Sequence, residues 1–204
     1  MDLFEAVRTR RSASVLLEAA PDDTELVELV ELAMTAPDHA ALRPWRLVVL
    51  RGEARVALGA AMAQAEGVPE TAAKTAAKPL RAPLLLGIVF RPREHPKVPE
   101  WEQIAATAAM VTTLQLLLHG RGWGAMWRTG PLVDAEPVRR VMGVGDGERL
   151  LGWLYVGRPD PQHSRGPRPP ISAESHISVL SPTVETPADT VLPDTALAGE
   201  PDVD

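Results

Sequence analysis

The sequence predicts one domain of mixed α and β structure over about residues 1–160, followed by a tail without regular structure over residues 161–204. Three observations carry this. Apolar, β-branched runs of strand length alternate with longer runs whose apolar residues recur at helical spacing. Helical segments separate the strands, and there is no long strand meander. From Pro159 onward the chain turns to Pro, Ser, Thr and acids with scattered Val and Leu and no periodicity, a composition that builds no packed core. The 204 residues are 45% hydrophobic, enough for a sizeable core in the first part.

In chain order, residues 3–10 read as a short helix with Leu3, Phe4 and Val7 on one side. Asp22 or Asp23 can cap a second helix in which Leu26, Leu29, Val30 and Ala33 repeat at helical spacing. It must stop near Ala36, because Pro37 disfavours helical geometry in the residue before it. WRLVVLR (45–51) is a strand. GEARVALGAAMAQAEG is a helix, and an Ala/Lys-rich helix continues through ETAAKTAAKP. APLLLGIVF (82–90) is a buried strand. WEQIAATAAMVTTLQLLLHG (101–120) is a long helix rich in Ala and Thr and apolar nearly all round, so it is expected to be buried on several sides. Its small residues allow close approach of another helix, including one from a second subunit. Gly120 and Gly122 end it. GAMWRTG leads out as a strand, Asp134 caps a short helix through Met142, and ERLLGWLYVG (148–157) is a further buried strand. The tail is expected to be disordered, or an arm lying on a partner.

The formal net charge is -6, but it is unevenly spread. After Arg168 come seven acids and no Lys or Arg, which leaves residues 1–168 at +1. A nearly neutral body with 4% aromatic residues argues against nucleic-acid binding. There are no cysteines, so disulfides, thiolate metal sites and cysteine nucleophiles are excluded. The five histidines are scattered, with no metal-binding pair on a helix. The N-terminus lacks the pattern of a secretory signal and no apolar run spans a bilayer, so the expectation is a cytoplasmic protein with no membrane partner.

Against this background VRTRRSAS (7–14) is conspicuous, with three arginines in four positions. Arg10, Arg11 and Ser12 offer guanidinium forks, a hydroxyl and main-chain N–H groups, all suited to a phosphate. The same residues also suit a solvated helix end, where cations favour the dipole. In APDHAALRPW (36–45), His39 sits in a turn before a strand. It can hydrogen-bond a ligand, act as an acid, or only cap the turn. Thr35 is close enough in sequence to line the same pocket, Arg43 faces solvent and Trp45 is core. GRGWGAMWRTG (120–130) is glycine-rich but follows a helix and precedes a strand, the reverse of a dinucleotide fingerprint. Its Trp127-Arg128-Thr129 repeats the pairing of guanidinium and hydroxyl. HPKVPEWEQ (95–103), with His95, Lys97, Glu100 and Glu102, reads as a loop and a capped helix start.

Taken in order, Arg-Arg-Ser beside the first helix, MTAPDHAALRPWRLVVLRGE, KVPEWEQIAATAAMVTTLQLLLHGRGWGAMWRTG and GWLYVG resemble the nitroreductase family. The similarity is greatest to its compact subgroup of small NAD(P)H nitroreductases, and it covers about residues 1–160 with little insertion. The resemblance implies an α+β fold with a central mixed sheet surrounded by helices, an intertwined homodimer, and FMN at the subunit interface. It implies that Arg10, Arg11 and Ser12 hold the FMN phosphate and polar flavin edges. Thr35 and His39 would come from the other subunit, and Trp127, Arg128 and Thr129 would close on the phosphate and ribityl side. Leu117, Leu118, His119, Gly120, Arg121 and Gly122 match a segment associated with the nicotinamide cofactor.

The implied activity is hydride transfer from NADH or NADPH, through the flavin, to an electron-poor small molecule such as a nitro compound or quinone, with ping-pong kinetics. No protein nucleophile or metal is needed, because the flavin carries the chemistry. The chain departs from the family pattern at Ser14, where many members are basic. It departs again at Ala41-Leu42-Arg43, where many have N-x-Q, and at Thr35, where the subgroup often has Arg. Arg11 is the candidate to replace the lost positive charge. These losses leave open a protein of the same fold that holds flavin without turnover. A related flavin reductase or dehydrogenase with a specific metabolite acceptor also stays open.

Overall fold

Asp22 accepts a hydrogen bond from the Glu25 N–H at 2.8 Å and so starts the second helix where its sequence predicts. A computed structural model describes residues 1–163, 166 and 168–180. In chain order the elements are α1 (Leu3–Thr9), β1 (Leu16–Leu17), α2 (Asp23–Ala33), β2 (Trp45–Leu50), α3 (Gly52–Glu66), α4 (Pro69–Ala76), β3 (Leu84–Phe90), α5 (Glu100–Gly120), β4 (Gly124–Arg128), α6 (Glu136–Val141) and β5 (Arg149–Pro159). Short 3₁₀ turns lie at His39–Ala41, Lys78–Arg81 and Pro131–Asp134. By contacts the chain divides into Met1–Pro167 and Arg168–Asp204. Of the second unit, the described residues are irregular apart from a 3₁₀ turn at Glu174–His176. The expectations for the tail beyond residue 180 lie outside the described residues.

β5 is the hub of the sheet. It pairs with β3 along one edge, with β4 along the other, and with the short β1 near its C-terminal end, while β2 pairs with β3. All these pairings are antiparallel. The expected mixed sheet is therefore corrected. β3 and β4 run in the same direction but flank β5 on opposite sides, so no two paired strands are parallel, and the one parallel contact among the described residues is the isolated bridge Ser12 to Ala125. The α+β class stands.

All seven residues of β3 are buried, as its unbroken apolar run requires. Its side chains alternate between two cores. Leu84, Leu86 and Ile88 pack with Leu26 and Leu29 of α2 and with Met110, Val111, Leu114 and Leu118 of α5. Leu85 and Val89 pack with Leu58 and Met62 of α3 and with Val138 and Met142 near α6. Each fully buried side chain of this kind contributes about 1.5–3 kcal/mol.

Three local expectations differ. Leu3, Phe4 and Val7 of α1 face outward, and Ala6 is the buried residue of that helix. Asp134 closes a 3₁₀ turn, and Ala135 is the N-cap of α6, with a proline at the start of the helix. The strand β1 was not legible, because two residues carry no periodicity.

Candidate functional site

Arg10 ends α1: its N–H still bonds the Ala6 carbonyl at 2.9 Å, but its own backbone has left the helix. The chain then runs extended beside β4. Ser12 bridges Ala125, and the Ala13 N–H donates to the Ala125 carbonyl at 3.1 Å. This places Arg11 and Ser12 on the wall of a cleft of about 400 Å³, opposite His119, Gly122 and Trp123. Arg11 Nη1 donates to the Gly166 carbonyl at 3.1 Å, a neutral acceptor that leaves its charge uncompensated by that contact.

The far wall is built by the end of α5. Gly122 adopts φ +83°, its N–H bonds the His119 carbonyl at 2.9 Å, and the Trp123 N–H reaches back to the Leu118 carbonyl at 2.8 Å. This is a Schellman ending, and it depends on a residue without Cβ. Gly122 thus stops the helix, whereas Gly120 is its last turn. The stop leaves His119 facing the cleft, with its Nε2 2.9 Å from Thr9 Oγ1. Burial and the nearby Arg10 hold the His119 imidazole below its ordinary value, and Glu5 opposes them. Of the six residues of the expected nicotinamide segment, only His119 and Gly122 line this cleft. Leu118 is fully buried, Leu117 packs against the core, and Arg121 pairs with Glu28.

Trp127, Arg128 and Thr129 line a separate cleft of about 560 Å³, with Lys78, Arg81, Trp153 and Tyr155. Trp127 Nε1 donates to the Leu151 carbonyl at 3.0 Å. The Arg128 guanidinium lies over the Tyr155 ring, 5.3 Å from its centroid. Burial pushes the Tyr155 phenol up, while Arg128 and Arg81 pull it down. Gly152 lets the strands close here: at φ +111°, a Cβ on it would lie 2.3 Å from the Arg128 carbonyl oxygen. Arg128 Nε and Trp153 Nε1 are buried without a hydrogen-bond partner, an arrangement that favours an incoming acceptor. The expectation that arginines from both ends of the chain meet in one place is therefore modified. Arg11 and Arg128 line two clefts, and along β4 Arg128 stands three residues, roughly 10 Å, beyond the Ser12 bridge. Lys78 and Arg81 were not foreseen: Lys78 lies in the run read as an Ala/Lys-rich helix, and nothing in the sequence marked Arg81.

Thr35 and His39 line neither cleft. The Thr35 hydroxyl donates to the Leu32 carbonyl at 2.8 Å. His39 opens a turn in which Ala40, Ala41 and Arg43 all have positive φ, a strained run held by the Arg43 N–H bonded to Asp38 Oδ2 at 2.6 Å. Its Nδ1 lies 2.7 Å from Glu102 Oε2, beside the exposed Trp101 and the alanines of α5. Glu102 was read from sequence as part of a helix start, and its pairing with His39 was invisible there. Among the described residues, no cluster of three or more His, Cys, Asp or Glu suits a metal. None of the helices there is long and apolar enough to cross a membrane.

Residues 7–158 match the family model described as "Nitroreductase family". YdjA of Escherichia coli (strain K12), provisionally named an NAD(P)H nitroreductase, is 34% identical over 187 residues, which are 90% of this chain and 97% of that protein. A nitroreductase-like family protein from Bacillus cereus superposes with a TM-score of 0.78 at 24% identity, over 89% of this chain and 97% of that one. The FMN and NADPH-dependent nitroreductase NfnB from Sphigopyxis sp. strain HMH superposes with a TM-score of 0.74 at 19% identity, over 89% of this chain and all of that one. At these identities the two structures speak for the fold.

Proposed function

This chain belongs to the nitroreductase family, and on that premise we propose that it is an FMN-dependent oxidoreductase. It would pass hydride from NADH or NADPH to an electron-poor acceptor such as a nitro compound or a quinone. The observation that carries this reading is the Ser12–Ala125 bridge. It holds the Arg10-Arg11-Ser12 stretch against the strand that ends in Trp127-Arg128, with Thr129 just beyond it, so both expected cofactor segments lie along one edge of the sheet.

The residues present fit FMN. Arg10, Arg11 and Ser12 would hold its phosphate, for which charge-assisted donors are the strong partners. Trp127, Arg128 and Thr129 would line its other flank, where Arg128 Nε and Trp153 Nε1 wait for acceptors. FMN, when bound, supplies the hydride chemistry. Lys78, Arg81 and Arg128, against the single carboxylate of Glu66, leave that flank with an excess of positive side chains, which favours negative charge developing there. They are better candidates than Arg11 to replace the charge lost at Ser14. Tyr155 and the tryptophans of the same cleft limit the access of water. A nicotinamide and the acceptor would use one pocket in turn, hence ping-pong kinetics.

The proposed active unit is a homodimer. α5 is apolar nearly all round, yet Trp101 is 68% exposed and Ala105 and Thr112 are also open on one side of it. The outward Leu3, Phe4 and Val7 of α1 add a second apolar face. Covering such surface is the usual reason for association. A second copy would bring Thr35 and His39 to clefts they do not reach in their own chain.

The test is an absorption spectrum of the purified, FMN-reconstituted protein before and after anaerobic addition of NADH or NADPH. Bleaching of the flavin band supports the reading. Bound flavin that stays oxidised identifies a binding protein without turnover, and a protein that takes up no FMN ends the proposal.

A further inference from the structure

We propose that Glu102 is the positioning residue of His39, holding the imidazole with its proton on Nδ1 so that Nε2 is turned outward as a hydrogen-bond acceptor. The inference rests on the reading above that His39 serves the cofactor site of a second copy. The ligand group it selects is a donor hydrogen, a hydroxyl or an N–H.

His39 Nδ1 lies 2.7 Å from Glu102 Oε2, and the imidazole is 56% exposed while the carboxylate is 28% exposed. Glu102 stands in the first turn of α5. An ionised carboxylate only accepts, so a neutral imidazole this close must donate from Nδ1. The other ring nitrogen is then left with its lone pair. The neighbouring acid does not compete for the ring, because Asp38 is engaged by the Arg43 N–H at 2.6 Å. The other residues lining the hollow beside the ring are uncharged: Pro37, Trp101 and the alanines of α5. An exposed imidazole would otherwise sample several rotamers and both tautomers. Here one strong contact, anchored in a long helix, selects one of each. On protonation the contact to Glu102 remains, Nε2 becomes a donor, and the acceptor role is lost.

The test is made on the FMN-loaded protein by long-range proton–nitrogen NMR of His39, assigned with His39→Asn. The expected wild-type pattern has the proton on Nδ1. Glu102→Ala, or the similarly sized Glu102→Met should the alanine variant not fold, removes the carboxylate acceptor and is expected to shift the ring toward the Nε2–H form. The same variant should weaken FMN binding about tenfold, the net worth of one hydrogen bond. Glu102→Ala combined with His39→Ala should be no weaker than His39→Ala alone, because one residue acts through the other. A wild-type ring protonated on Nε2, or losses that add, would overturn the assignment. Absence of FMN binding in the wild type would instead sink the functional reading, and the tautomer of the unloaded protein would still decide the role of Glu102.

Discussion

Ser12 is bridged in parallel to Ala125, with the Ala13 N–H closing on the Ala125 carbonyl at 3.1 Å. This contact joins the end of the first helix to the strand that follows the longest one. It fixes the separation between the arginines at the start of the chain and Arg128. The predictions below begin from that geometry.

If Arg10 and Arg11 grip a phosphate, removing them should weaken FMN binding and flatten its salt dependence. Arg11→Met alone is expected to cost roughly ten- to a hundredfold, the range for a hydrogen bond to a charged group. Fluorescence titration of FMN at low and high salt measures both effects. An Arg10→Met/Arg11→Met protein that binds FMN as tightly as the wild type refutes the assignment.

His119 reports on the same cleft. Its folded value lies below the ordinary value of 6.5, from burial first and Arg10 second. The unfolded chain therefore takes up this proton before the folded one. Stability is expected to fall as pH drops through about 6.5 and to level off below the folded value. Arg10→Met should raise the His119 titration midpoint in NMR, and so should a bound phosphate that neutralises Arg10. A midpoint indifferent to both would place Arg10 elsewhere.

A second charged cluster is structural. Glu148 receives Arg46 Nε at 3.0 Å and Nη2 at 2.6 Å, and Arg91 Nε lies 2.9 Å away. Arg46 above all, helped by the Gly145 N–H and Arg91, holds its carboxyl down at about 2 from the ordinary 4.5. The stabilisation is present above about 4.5 and is lost as pH falls toward 2. Glu148→Gln should therefore cost about 2 kcal/mol at neutral pH, with the difference shrinking below pH 4.5. Urea unfolding of both proteins across that range checks it. A constant difference would mean that packing, not charge, is responsible.

Acids on the open side of α5 should separate the copies. Ala105→Glu and Thr112→Glu place charge where a single chain faces solvent, so the fold should survive. The expected outcome is a monomer by analytical ultracentrifugation with little bound flavin. Monomers that keep stoichiometric FMN would show that one chain suffices.

Much of the fold was legible because its signals are local. The capped start of α2, the apolar run of β3 and the glycine ending of α5 each follow from a few adjacent residues. The Arg-Arg-Ser stretch and Trp127-Arg128-Thr129 stood out for the same reason, since side-chain chemistry and spacing are written in the chain itself. The outward face of α1 was not legible. Leu3, Phe4 and Val7 define an apolar side, but periodicity does not say whether this chain or another covers it.

Residue types and their spacing alone determined the mixed α and β composition, the buried elements and the candidate anion-binding groups, because propensity and amphipathicity act over a few residues. Only the tertiary structure decided that the strands run antiparallel, that Arg11 and Arg128 open onto different clefts, and that Lys78 and Arg81 join the latter. It also decided that Glu102 meets His39. These are contacts between segments far apart in sequence, set by how two cores pack against opposite faces of one sheet, and no local pattern encodes them.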